Sequence, residues 1–181
     1  MEAEADFVAR LASARIGGTF NQYADSSLRR DRLRRYLEAR ARAEVVLVGE
    51  AAGYRGARVS GIAFTSERQL TGSGPAEASA TIVHRVLGRL GVDEDVLLWN
   101  VVPTHPGTET SNRRPTRFEI EAGLSFLDEL AEGRRAVAVG RVAHAVLGDP
   151  YVRHPAHGGA ADFREAFATL VARRTPGPPL L

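Results

Sequence analysis

A carboxylate placed among small residues is the first feature of this sequence that could do chemistry. Glu50 lies in residues 49–53 (GEAAG), directly after the apolar run 45–48. Glycine lets a backbone turn sharply and approach a ligand closely, and a carboxylate at such a turn can orient water or stabilise a positive charge. A turn with an incidental solvated glutamate is the alternative interpretation. No GxGxxG pattern leads into a helix here, so a dinucleotide site is not predicted.

A second polar group accompanies the next apolar run, residues 96–102. Asn100 offers an amide donor and an acceptor together, which suits the reading of a base edge, although it could equally cap a turn. Residues 111–115 (SNRRP) then place two arginines just before a predicted helix N-terminus, an arrangement that favours phosphate. We assign Glu119 to the capping of that helix, together with Thr116, and not to catalysis.

A third polar segment, residues 153–159 (RHPAHGG), contains two of the five histidines of the chain. The spacing of His154 and His157 could suggest a metal, but a proline intervenes and a third ligand is missing, so no metal site is predicted. A histidine in a rigid loop of proline and glycine is better suited to donate a hydrogen bond to a substrate. The other three histidines have no comparable context.

The elements that must position these segments indicate an α/β fold. Apolar runs predict strands at 45–48, 96–102, 136–140 and 151–152. Helices are predicted at 7–16, 26–42, 75–90, 116–130 and 163–173. One further helix follows the third strand and ends at residue 147. Short apolar strands that alternate with helices predict a three-layer α/β/α architecture around a central four-stranded, mainly parallel sheet. Ligands bind beyond the carboxyl ends of such strands, where all three polar segments fall.

The 181 residues, 44% of them apolar, are sufficient for one domain with a sizeable core. We divide it into N-terminal helices (1–42), a catalytic core (43–174) and a tail (175–181). The arginine run at 29–35 most simply forms a solvated face, with phosphate binding as the less favoured alternative. No apolar run is long enough to span a membrane, and the acidic start is unlike a signal peptide, so a cytoplasmic protein is expected.

Two residue types are missing from the chain. It has no cysteine and no lysine, and all 24 basic residues are arginines. The first absence excludes disulfides, thiolate nucleophiles, cysteine-bound zinc and iron–sulfur clusters. The second excludes a Lys Schiff base and a Walker-type phosphate loop. We expect no cofactor. The arginine content is consistent with phosphate binding and equally with an arginine-rich genome, and the net charge is only +2.

Together the three segments resemble the uracil-DNA glycosylase superfamily in order, spacing and residue type. Residues 49–53 are similar to the Gly-Glu-Ala-Pro-Gly motif of the thermophile-type (family four) enzymes, with Ala52 in place of the proline. Asn100 with residues 112–120 resembles the central block of that family, and His154-Pro155 resembles its second motif. The similarity covers about residues 43–170. Because the four cysteine ligands of that family are absent, the resemblance implies a divergent branch without the cluster.

The resemblance implies a DNA glycosylase that flips uracil, or another deaminated base, out of DNA and hydrolyses its N-glycosidic bond during base excision repair. Glu50 and His154 are the implied catalytic residues. Glu50 would position water or stabilise an oxocarbenium-like sugar, and His154 would donate to O2 of the base. The implied substrate-binding residues are Gly49, Ala51, Phe64 and Asn100, with Phe64 stacking on the base. The implied DNA-binding residues are Asn112, Arg113, Arg114, Arg153 and His157.

The absence of lysine makes the expected enzyme monofunctional, leaving an abasic site, and we expect a monomer. A catalytically silent lesion-binding protein with the same fold is the alternative. It is motivated by Ala52 and by residues 156–159 (AHGG), which stand where other branches place a bulky inserting residue. An enzyme that acts on free nucleosides is a third hypothesis, and its substrate affinity would depend little on salt.

Overall fold

Four parallel strands form one central sheet in the computed structural model, which describes residues 2–156 and 158–172. The strands are β1 (Val45–Ala51), β2 (Val96–Val102), β3 (Arg135–Val139) and β4 (Tyr151–Val152), in the order β2-β1-β3-β4. All three pairings are parallel. Every residue of β2 is buried, so helices and loops cover both faces of this strand. The predicted α/β fold with a four-stranded parallel sheet is confirmed.

The helices of the described residues follow the predicted order, with two additions. They are α1 (Glu2–Ser13), α2 (Ser27–Ala39), α3 (Ala57–Ser60), α4 (Glu67–Thr71), α5 (Ala78–Leu90), α6 (Arg117–Ala131), α7 (Arg141–Leu147) and α8 (Ala160–Ala172). The short helices α3 and α4 lie between β1 and α5, where the sequence predicted no helix. Each ends at a glycine in the left-handed conformation, Gly61 and Gly72. In the described part of the chain, no helix has the length and apolarity needed to cross a membrane.

The two N-terminal helices share the hydrophobic core of the sheet. The Phe7 ring packs edge-on against Trp99 of β2 and Phe126 of α6, with both pairs of ring centroids 5.6 Å apart. From α2, the Tyr36 hydroxyl accepts a hydrogen bond of 2.7 Å from the Leu98 backbone N–H. Residues 2–39 are therefore an integral layer of the fold.

The arginines of α2 have a different role from the expected one. Arg29 Nε donates to the Val59 carbonyl at 2.9 Å, and Arg32 forms an ion pair with Glu67 at 2.8 Å. Both contacts join α2 to the segment that connects β1 with α5. The expectation of a simple solvated face is therefore wrong for these two residues, because long-range partners that the helical pattern does not reveal engage their guanidinium groups.

Candidate active site

Parallel pairing of β1 and β2 brings the first two polar segments side by side. Gly49 pairs with Asn100 in the register of these strands, and both strands continue for two residues beyond this pair. Glu50 therefore belongs to the end of β1 and not to a loop. The position of a side chain at the end of a buried strand is well determined, because the strand is held by its neighbours on both sides.

Gly49, Phe64 and Asn100 form a buried, closely packed cluster, here called the floor, which adjoins the cavity described below but is not among its lining residues. A Cβ built on Gly49 would lie 2.6 Å from Asn100 Oδ1 and closer still to the Phe64 ring, so only glycine fits there. Phe64 itself has a φ of 50°, the one positive φ among the described residues other than glycine. A bulky residue in this conformation is strained, and such strain is typical of functional sites. The backbone therefore presents the Phe64 ring to Gly49 and Asn100 at an energetic cost.

The third polar segment approaches the same floor from the end of β4. The rings of His154 and Phe64 have centroids 6.5 Å apart. His154 Nδ1 accepts a hydrogen bond of 3.2 Å from the Ala156 backbone N–H, so a neutral ring carries its proton on Nε2. This tautomer is the one that can donate from the outer edge of the ring. His157, the second histidine of the segment, lies outside the described residues.

A cavity of about 1010 Å³ opens at this end of the sheet, with Glu50, Ala51 and His154 on its wall. Burial raises the pKa of Glu50, and the positive charge of Arg114 opposes that rise. Within residues 2–156 and 158–172 we find no hydrogen bond and no ion pair to the Glu50 carboxylate. The carboxylate is thus partly desolvated and directed at the cavity without a protein partner, an arrangement suited to binding water or a cationic sugar.

Several arginines line the cavity, and they differ in whether a carboxylate pairs with the guanidinium group. The arginines on its wall are Arg55, Arg113, Arg114, Arg141 and Arg153. Arg113 donates twice to the buried Glu119 carboxylate, at 2.8 and 2.5 Å, and Arg153 pairs with the exposed Asp162 at 2.7 Å. For Arg114, the interaction that the structure shows is electrostatic, with Glu50. Fixed arginines around a cleft attract a phosphate backbone.

Asn112, predicted to bind DNA, makes a hydrogen bond to the loop that follows β1. Its Oδ1 accepts a hydrogen bond of 2.9 Å from the Tyr54 backbone N–H, so it holds the loop that follows β1. His105 holds the same loop, and sequence reasoning missed it. The ring is fully buried, and one ring nitrogen lies 2.7 Å from the Ala52 carbonyl oxygen. The only local signal was a histidine shortly after β2, because its partner is 53 residues away along the chain.

The alanine that replaces the expected motif proline is part of this support. The Ala52 N–H donates to the Val102 carbonyl at 3.3 Å, a bond that a proline could not form. Ala52 is fully buried, and its carbonyl faces His105. The backbone of the loop is therefore fixed by hydrogen bonds at the point where a proline ring would otherwise restrict it. In the described residues no group of three or more His, Cys, Asp or Glu is arranged to hold a metal ion.

Comparisons with known proteins identify the superfamily and the fold. The profile of the Uracil DNA glycosylase superfamily matches residues 37–173. A search of the curated proteins found no match. Among solved structures, the crystal structure of wild-type Pedobacter heparinus SMUG2 is similar in fold, with a TM-score of 0.67 and 10% sequence identity over 94% of this chain and 97% of that chain. The family profile covers well over half of the sequence, and the chain therefore belongs to the uracil-DNA glycosylase superfamily.

Proposed function

We propose that this protein is a monofunctional DNA glycosylase that hydrolyses the N-glycosidic bond of uracil, or of another deaminated base, in DNA. The observation that supports this most directly is the placement of Glu50 and His154 on one cavity wall. The Glu50 carboxylate has no hydrogen-bond partner among the described residues. The ring and amide of the floor adjoin this wall through the contact of Phe64 with His154.

In the proposed reaction, the target nucleotide leaves the base stack and enters the cavity. The base stacks on Phe64, and the Asn100 amide binds its edge. His154 Nε2–H donates to O2 as negative charge develops on the departing base. Glu50 accepts a proton from the attacking water or stabilises the cationic sugar, as carboxylates do in glycoside cleavage. Gly49 and Ala51 contact the base and the sugar through the backbone, because residues this small permit close approach.

The arginine rim supports a DNA substrate over a free nucleoside. Arg114 and Arg153 are exposed on the cavity wall, where they are proposed to contact phosphates. Asn112 and Arg113 were predicted to do the same, and their contacts with Tyr54 and Glu119 give them a supporting role as well. His157 keeps its proposed DNA contact as a prediction from sequence.

Four finer expectations remain proposals. Within the superfamily we place the chain nearest to the thermophile-type enzymes, on a branch without the iron–sulfur cysteines. We further propose that it acts as a monomer in the cytoplasm, in base excision repair.

A catalytically silent lesion-binding protein is the second candidate. The observation that favours it is the turn after His154, where Ala156, Gly158 and Gly159 are the described residues. None of these carries a bulky side chain that could fill the space left by a flipped base. Such a protein would bind uracil-containing duplex selectively and release no base.

The test is an excision assay at high enzyme concentration. Oligonucleotides that carry uracil, hypoxanthine or xanthine, single-stranded and opposite each normal base, are treated with alkali to reveal abasic sites. Glu50→Gln and His154→Ala are compared with wild type and with Glu94→Gln, which changes an exposed glutamate before β2. We expect each site variant to lose about a hundredfold in rate, with DNA binding much less affected.

Each outcome discriminates between the candidates. Excision that disappears in Glu50→Gln but persists in Glu94→Gln supports a glycosylase and identifies its base. Full activity in both site variants contradicts the proposed site. Selective binding without excision of any substrate favours the silent lesion binder, whereas excision that is insensitive to salt favours a nucleoside enzyme.

A further inference from the structure

A second carboxylate, Glu77, lies against the loop that follows Glu50. Glu77 is the N-cap residue of α5, but its side chain makes no capping hydrogen bond. Instead, the carboxylate packs directly on the backbone of Gly53 and Gly56, where a Cβ at either position would collide with it. Two glycines in this loop are therefore explained by one side chain from a helix that begins more than 20 residues later.

Glu77 has no partner that would stabilise a negative charge. It lines the same cavity as Glu50, and no hydrogen bond or ion pair reaches its carboxylate from the described residues. Burial raises its pKa, and no charged group opposes that rise. The titratable and charged groups on the cavity wall are Glu50, Tyr54, Arg55, Arg113, Arg114, Arg141, Tyr151, Arg153 and His154.

Glu50 and Glu77 differ in their charged neighbours. The positive charge of Arg114 opposes part of the rise that burial causes in the pKa of Glu50, whereas no charged group opposes the rise in the pKa of Glu77. The two carboxyl groups of one cavity therefore have different electrostatic environments, which allows them different tasks. Glu50 faces a positive charge, whereas Glu77 packs on the backbone of the loop.

We propose that Glu77 is a positioning residue, whose side chain holds residues 53–56 so that Glu50 keeps its place in the cavity. The inference rests on the proposed glycosylase function and deepens it. His105 and Asn112 fix residues 52 and 54 of the same loop through the backbone, and Glu77 is the contact that α5 contributes. Displacement of the loop near a reacting group can cost up to about a hundredfold in rate.

The decisive comparison is between Glu77→Gln, which keeps the shape without the charge, and Glu77→Ala, which removes the contact. Excision kcat and KM are measured from acid to alkaline pH, with Glu94→Gln as the matched control. We expect Glu77→Ala to lower kcat about tenfold with little change in KM, because the loop and not the DNA contact is affected. Glu77→Gln should retain wild-type kcat, because the amide keeps the shape of the side chain and its packing on the loop.

Two results would overturn the proposal. Equal loss of activity in Glu77→Gln and Glu77→Ala at every pH would show that the carboxylate itself is needed. Wild-type kcat in Glu77→Ala would show that the contact does not position the loop. A double-mutant cycle adds a geometric test. Gly53→Ala should lower the free energy of unfolding in the wild-type background and leave it nearly unchanged in the Glu77→Ala background, where the colliding side chain is gone. Equal costs in both backgrounds contradict the contact.

Thermal unfolding separates this inference from the proposed function. Because the folded protein binds the Glu77 proton more tightly than the unfolded chain, this group contributes stability at low pH that is lost as pH rises through its raised pKa. Glu77→Gln should therefore be more stable than wild type in alkali, and the difference should vanish in acid. If no variant excises any base, the proposed function fails, while the unfolding profiles still decide whether the folded loop raises the pKa of Glu77.

Discussion

Glu119 and Glu50 are the same residue type beside neighbouring arginines, but the fold treats them in opposite ways. Glu119 is 2% exposed, accepts two hydrogen bonds from Arg113 and caps α6 through the Thr116 backbone N–H. These bonds lower its pKa to about 2. The Glu50 carboxylate lies on a cavity wall without a hydrogen bond from the described residues, and burial raises its pKa.

The difference separates a structural carboxylate from one reserved for a ligand. A satisfied carboxylate stabilises the fold and has its charge and most of its lone pairs engaged, whereas an unsatisfied one costs stability and can act on a substrate. Arg113 and Arg114 differ in the same respect, since one has a structural partner and the other faces the cavity. Arg113 pairs with Glu119, while Arg114 acts electrostatically on Glu50. Substitutions at these four positions test whether the division holds.

The largest expected effect is on catalysis, at Glu50. Glu50→Gln should lower the excision rate about a hundredfold or more without lowering the unfolding temperature, because no protein hydrogen bond within the described residues is lost. Glu119→Gln should leave the rate nearly unchanged at temperatures where it is folded. Single-turnover rates with parallel thermal melts measure both. A large rate loss in Glu119→Gln with an unchanged melting temperature would reverse the assignment.

The next effect is on stability, at Glu119. Glu119→Gln should lower the free energy of unfolding by about 2 kcal/mol, because it weakens a helix cap and leaves Arg113 unpaired. Urea denaturation at neutral pH measures this, with Glu94→Gln as control. In wild type, the Glu119 contribution is present above the ordinary pKa of 4.5 and is lost as pH falls toward about 2. Stability curves of wild type and Glu119→Gln that stay parallel down to pH 2 would contradict this.

A smaller effect concerns the pH dependence of activity. Removal of the Arg114 charge raises the pKa of Glu50 further, and the proposed reaction uses ionised Glu50. Arg114→Ala should therefore move the acidic limb of the kcat profile to higher pH. Arg113→Ala should not move it, since that charge is neutralised locally by Glu119. A shift of the same size in both variants would show that Arg114 has no specific relation to Glu50.

The smallest effect is on the salt dependence of DNA binding. Arg114→Ala should reduce the slope of log affinity against log salt by about one unit, the loss expected for one phosphate contact. Arg113→Ala should reduce it less, because the Arg113 guanidinium is already engaged. Binding titrations at several salt concentrations with an abasic-site duplex measure this. An equal reduction in both variants would indicate that Arg113 also contacts phosphate.

Local patterns predicted most of the architecture. The apolar run 96–102 is β2 itself, the two-residue strand at Tyr151 is present, and the Thr116–Glu119 capping box forms as predicted. These features depend on neighbouring residues, so the sequence displays them directly. Helices α3 and α4 were missed because they are short and end at glycines that also occur in loops. The convergence of the polar segments followed from the general geometry of parallel sheets.

The sequence by itself determined the succession of the main helices and strands along the chain and the buried apolar runs. It also determined the cap of α6 and the three polar segments at strand ends. Only the tertiary structure decided which charged groups are satisfied. Arg29 and Arg32 bond to partners about 30 residues away, His105 to the loop after β1, and Glu77 to Gly53 and Gly56. The physical reason is that desolvation and pairing depend on which distant atoms meet, whereas periodicity and capping depend on residues within one or two turns.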